Sequence, residues 1–135
     1  MSYITDALYN LNLLENSSSR STIKSNLRIL LIHMLKCKYP PEYYSNKGSW
    51  VTSIVNSYSG VTDEFIDIGK GSLYKTFYIK QLNLEHIYKQ AKLLAAKETG
   101  KPLNVFPDTC PWTKEQLVNL DFITDFIDTY GQDNQ

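Results

Sequence analysis

All five prolines of this 135-residue chain fall in two places, Pro40-Pro41 and the trio Pro102, Pro107 and Pro111. Proline lacks a backbone N–H and pushes the residue before it out of the α region. The chain before Pro40 and between Glu42 and Lys101 is therefore open to long helices, whereas the stretch from 102 to 111 is not. Within the first open region, Ile23, Leu27, Leu30, Leu31, Met34 and Leu35 recur at steps of three and four, which predicts a helix over 21–38. Ile29 and Ile32 widen its stripe beyond one face, the pattern of a central bundle helix.

The flanking segments follow the same rules. Ile4, Leu8 and Leu11 predict a short helix over 3–14, broken by Asn16-Ser17-Ser18-Ser19, whose side chains favour turns and caps. Trp50, Ile54, Val55 and Tyr58 predict a helix over 49–58 closed by Gly60, and 61–71 reads as a short helix or a buried loop around Gly69-Lys70-Gly71. The longest helix is expected over 72–99, with Leu73, Phe77, Leu84, Ile87, Tyr88, Ala91, Leu94 and Ala95 buried, Asn83 irregular in its middle and Gly100 as its stop. The three later prolines make a stiff strap anchored by Leu103, Phe106 and Trp112. Thr113 and Gln116 have capping-box spacing, opening a short helix near 114–120 before a last one near 122–130. The expected fold class is all-α, a compact bundle of about five or six helices forming one domain over 1–135.

At 42% apolar and 21% charged residues the chain has the composition of a folded globular protein, and no apolar run is long enough to span a membrane. The N-terminus lacks a basic stretch followed by an apolar one, so the expected location is cytoplasmic, with Cys37 and Cys110 as reduced thiols. The zero net charge hides a polarity: residues 20–50 carry six basic groups against Glu42, and residues 101–135 carry six acids against Lys101 and Lys114. Nothing in the total indicates a large basic footprint for nucleic acid.

The run from Ser25 to Lys36, followed by Tyr39, Pro41, Glu42 and Ser49-Trp50, resembles a mainly bacterial family, domain of unknown function twenty-nine (DUF29). A second block in the same order is similar to that family's C-terminal signature: Glu98-Thr99-Gly100-Lys101-Pro102-Leu103, Phe106-Pro107, Cys110-Pro111, Thr113, Gln116-Leu117 and Asp121-Phe122. The resemblance covers about 18–122 and implies an all-helical fold with no established activity. Members usually begin with a longer acidic helix and commonly carry tryptophan where this chain has Cys37, and 59–71 looks like a divergent connection.

Four soft ligands, His33, Cys37, His86 and Cys110, are enough in number for one tetrahedral zinc, and the first two stand four apart on one helix. No close Cys-x-x-Cys or His-x-x-x-His pair supports them, and a core cysteine with a hydrogen-bonded helix histidine is the plainer expectation. No cofactor is implied. His33 and Glu98 have the chemistry of an imidazole and an orienting carboxylate, which would make a general base near neutral pH. Glu98, lying in a helix's last turn, also calls for a cation such as Lys97, Lys101 or His33. Lys36, Lys38 and Lys47 interleave with Tyr39, Tyr43, Tyr44 and Trp50, a pattern suited to unpaired bases and phosphates, although lysines of this kind usually form a solvated face. The same aromatics, Tyr39, Tyr43, Tyr44 and Trp50, are of the type enriched at protein interfaces. The favoured expectation is a protein-binding module of accessory, antitoxin-like or immunity-like kind. An enzyme centred on His33 and a single-stranded nucleic-acid binder stand as alternatives.

Overall fold

A computed structural model of the chain describes residues 18–44, 47–68 and 78–133. The described part is all helix and connection: α1 is Ser18–Lys38, α2 Gly48–Ile68, α3 Leu84–Thr99, α4 Lys114–Leu117 and α5 Leu120–Tyr130, with one 3₁₀ turn at Leu103–Val105. The helix expected over 3–14, the turn at 69–71, and the Leu73 and Phe77 positions lie outside the described residues. α1 is central as its apolar pattern predicts, packing on both α2 and α3, and Ile23, Leu27, Leu30, Leu31, Met34 and Leu35 are all buried.

Side-chain pairs fix the directions of the helices. Arg28 Nε donates to Gln90 Oε1, and Lys36 Nζ meets Glu98 Oε1, each at 3.0 Å and each across 62 residues, so α1 and α3 run parallel. Asn26 lies under Gly60 while the Lys36 ammonium lies 5.1 Å from the Trp50 ring centroid, so α2 runs antiparallel to α1. After α3 the chain returns along it: Lys92 meets Asp108 at 3.8 Å, the Tyr88 hydroxyl donates to the Pro107 carbonyl at 2.6 Å, and the Cys110 N–H donates to Glu85 at 3.0 Å. The proline strap thus occupies the place of a descending helix. α5 then ascends: the Tyr58 phenol's pKa is raised by burial and further by the nearby Asp121, and Gly131 lies against Val51.

Two expectations about helix limits change. α2 continues through Gly60 to Ile68, because glycine is needed there for proximity rather than termination: a Cβ at Gly60 would stand 2.6 Å from Asn26 Nδ2. Its many hydroxyls do not break it, since Thr52, Ser57 and Thr62 each bond back to the carbonyl four residues earlier. The expected helix over 72–99 is instead interrupted at Leu82 and Asn83. Residues 78–81 are helical, Leu82 N–H closes that turn on Tyr78 and Ile79, and Asn83 caps a new helix by accepting from the His86 N–H at 3.2 Å. Gly100 ends α3 as expected, in the left-handed region at φ 73°.

Individual positions also move. Leu94, expected on the buried stripe of α3, is 39% exposed, and Val55, expected on one side of α2 with Ile54, is 45% exposed while Ile54 is buried, because α2 and α3 each turn those positions past their contact with α1. Phe106 and Trp112 anchor the strap, the former edge-on to Tyr39 and the latter edge-on to Phe126, while Leu103, at 44% exposed on the 3₁₀ turn, is not an anchor. The Thr113 capping box forms in full, with the Gln116 side chain accepting from the Thr113 N–H at 2.8 Å.

Candidate functional site

One end of the bundle gathers most of the residues singled out by sequence, because α1 and α5 finish there and α2 begins there. Lys47 organises this end. Its ammonium donates to the Cys37 carbonyl at 3.1 Å and the Tyr130 carbonyl at 3.0 Å, in the last turns of α1 and α5, where the helix dipoles are negative. Its own N–H donates to the Asp133 carboxylate at 2.6 Å, which sets an anion at the positive start of α2. Lys47 is only 5% exposed, so the expected solvated lysine is corrected to a buried clamp. The signal available in the sequence was its place immediately before a helix; nothing local announced the two distant carbonyls.

The aromatic residues divide around that clamp. Tyr39 packs edge-on against Phe106 at 5.6 Å, and Tyr44 and Trp50 pack together at 5.5 Å. The Tyr44 hydroxyl is buried without a hydrogen-bond partner. Tyr43, between them in sequence, is 85% exposed. Lys38 lies near the Tyr39 and Tyr130 rings, at 5.7 and 5.6 Å from their centroids.

His33 stands on the outer side of α1 with its Nδ1 bonded to the Ile29 carbonyl at 2.8 Å, the geometry of Nδ1–H donating to a carbonyl four residues back. Burial lowers its pKa most and the Lys36 charge adds to that, against the opposing pull of the Ile29 carbonyl and Glu98. The imidazole is therefore held toward its neutral form, with Nε2 as its acceptor. Glu98 is near enough for its charge to act on His33, but its carboxylate bonds to Lys36. That lysine, one turn along α1, supplies the cation at the end of α3 in place of the expected Lys97, Lys101 or His33.

Cys37 is buried, and desolvation drives its thiol up to about 11 although Lys47 and Lys36 pull the other way. His86 and Cys110 lie toward the opposite end, at the start of α3 and in the strap. Burial pushes the Cys110 thiol up to about 11 as well, opposed by a hydrogen bond from the Trp112 backbone and assisted by Glu85. Both are free thiols, poor nucleophiles while protonated. The four soft ligands do not converge, and among the described residues no three His, Cys, Asp or Glu side chains are grouped to hold a metal ion. Cys110 instead lines an open groove of about 540 Å³ with Lys80, Glu85, Lys114 and Glu115 on its walls. No described helix is long and apolar enough to cross a membrane.

No curated protein and no solved structure matches the chain. A family model does, and it takes in the pinned aromatic end, the α1–α3 pairing and the strap: matching residues 10–123, it is described as domain of unknown function DUF29, and the chain belongs to that family.

Proposed function

We propose that this chain is a small cytoplasmic module that binds another protein through the loop joining α1 to α2, with Tyr43 as the anchoring side chain. The observation that carries the reading is the contrast within that loop. Tyr39, Tyr44 and Lys47 are fixed by Phe106, Trp50 and two helix ends, while Tyr43 between them is 85% exposed. A large amphipathic ring on neighbours already held in place loses little further freedom on binding, which is how aromatic anchors contribute most to interfaces.

The charges nearby favour a protein over nucleic acid. Lys47 is buried and Lys36 is paired with Glu98, so two of the three lysines that would hold phosphate in this segment have internal roles. Two unpaired thiols suit a reducing compartment. The test is affinity capture with the tagged chain and its Tyr43→Ala variant, with and without nuclease, read by mass spectrometry. A stoichiometric protein that survives nuclease and is lost with Tyr43→Ala, at unchanged melting temperature, supports the reading. Capture that is unaffected by Tyr43→Ala, or that disappears with nuclease, overturns it.

A further inference from the structure

At the end of the bundle opposite Lys47, α1 and the start of α3 enclose a cleft of about 170 Å³. Its ionisable walls are Lys24 and Arg28 from α1 and His86 from α3, with the amides of Gln81, Asn83 and Gln90 between them and Ile87 as an apolar wall. We propose that this cleft is a binding site for a small phosphate-type anion, inorganic phosphate or a compact phosphate monoester.

Three features make the cleft a collection of donors. First, two of its amides have their oxygens occupied: Gln90 Oε1 accepts from Arg28 Nε at 3.0 Å, and Asn83 Oδ1 accepts from the His86 N–H at 3.2 Å. Each retains its NH₂ group as a donor. Second, the Arg28–Gln90 bond takes only the Nε–H and orients the guanidinium plane, leaving the terminal nitrogens, whose fork matches two oxygens of a phosphate. Third, among the described residues no carboxylate lines the cleft. The acid nearest in sequence, Glu85, accepts from the Cys110 N–H at 3.0 and 3.3 Å and so faces the strap. Among the described residues, the ion pairs are Lys36–Glu98 and Lys92–Asp108, so neither Lys24 nor Arg28 is neutralised by an acid there.

Size selects within the anions. A cavity of about 150 Å³ holds one benzene-sized molecule, so this cleft admits a phosphoryl group with a few further atoms and excludes a folded polymer. Its lining also differs from a nucleic-acid surface, because among the described residues no aromatic ring lines it for a base to stack on. The site is independent of the Tyr43 loop, which lies at the other end of α1.

The test is a titration of the ¹⁵N-labelled chain with inorganic phosphate, and separately with methyl phosphate, against sodium chloride at matched ionic strength. The expected result is a saturable shift of the Arg28 Nε–H and the Asn83 and Gln90 side-chain amides, weakened about tenfold or more in Lys24→Gln, as loss of a charged hydrogen bond implies. Lys24 is partly exposed, so circular dichroism of that variant should match the parent, and Arg28→Lys gives a second reading should it not. If methyl phosphate binds at least as well as phosphate, the site takes monoesters; if only phosphate binds, it takes the free ion, and both outcomes support it. Shifts that do not saturate, that chloride reproduces, or that survive both substitutions overturn the proposal. So does a single-stranded oligonucleotide that binds at these resonances more tightly than either small anion.

Discussion

The Lys47 ammonium stands 3.0 Å from the carbonyl of Tyr130, joining the residue before α2 to the last residue of α5 across 83 positions of sequence. With the Cys37 carbonyl as second acceptor, this one cation satisfies two helix ends that would otherwise have to find water in a nearly closed space. Lys47→Met keeps the aliphatic stem and removes the donor. It should lower the urea unfolding free energy by about 3 kcal/mol, the scale of charged hydrogen bonds lost with their acceptors left buried. A midpoint within error of the parent would show that the carbonyls rehydrate freely.

The strap should be as important to stability as a helix. Trp112 is buried and meets Phe126 edge-on at 5.5 Å, so Trp112→Ala should cost about 3–5 kcal/mol through the cavity it leaves. Chemical denaturation measures this directly, and unchanged melting would mean that the strap is not what closes the core over α5.

Gly60→Ala inverts the usual preference of helices for alanine. The added methyl meets the Asn26 amide, which donates to the Thr22 carbonyl at 3.0 Å and would have to leave that bond. We expect a loss of about 1–3 kcal/mol from overpacking in place of the usual gain. Asn26→Ala in the same chain should recover most of it, a coupling that a double-mutant cycle reads.

His33 predicts a pH dependence. Its folded pKa lies below the ordinary 6.5, so below that pH the unfolded chain takes up a proton that the folded one resists. Its contribution to stability is complete above about pH 6.5 and declines as pH falls toward the folded value. Urea midpoints between about pH 7.5 and 5 should therefore drop more for the parent than for His33→Gln. Parallel curves would remove the effect.

The parts of this architecture legible in sequence were those written in local periodicity and local caps. The α1 stripe, the Gly100 stop and the Thr113 capping box each depend on residues within a few positions of one another. What escaped depends on a partner far along the chain. Gly60 reads as a terminator until Asn26 is placed beneath it, and Lys47 reads as solvated until two helix ends meet it. Asn83 carried a usable signal, since a cap residue three before His86 marks a new helix start, but the apolar pattern on both sides masked the break. At the sites, His33 and Glu98 did come to the same region, with Lys36 inserted as the actual partner of the carboxylate. The donor-lined cleft was illegible because Lys24 and Arg28 face His86 only after α1 and α3 lie parallel.

That parallel pairing bears on how the chain reaches its fold. The strap meets α3 through bonds that span 19 and 25 residues, whereas the rungs between α1 and α3 span 62. Closing a longer loop costs more chain entropy before any contact repays it, though the increase is logarithmic. The topology therefore predicts two locally closed halves, α1 with α2 and α3 with its returning strap, and an interface between them that forms last. Native-state hydrogen exchange should find the two halves as separate cooperative units, with the anion cleft lying on the seam where they join.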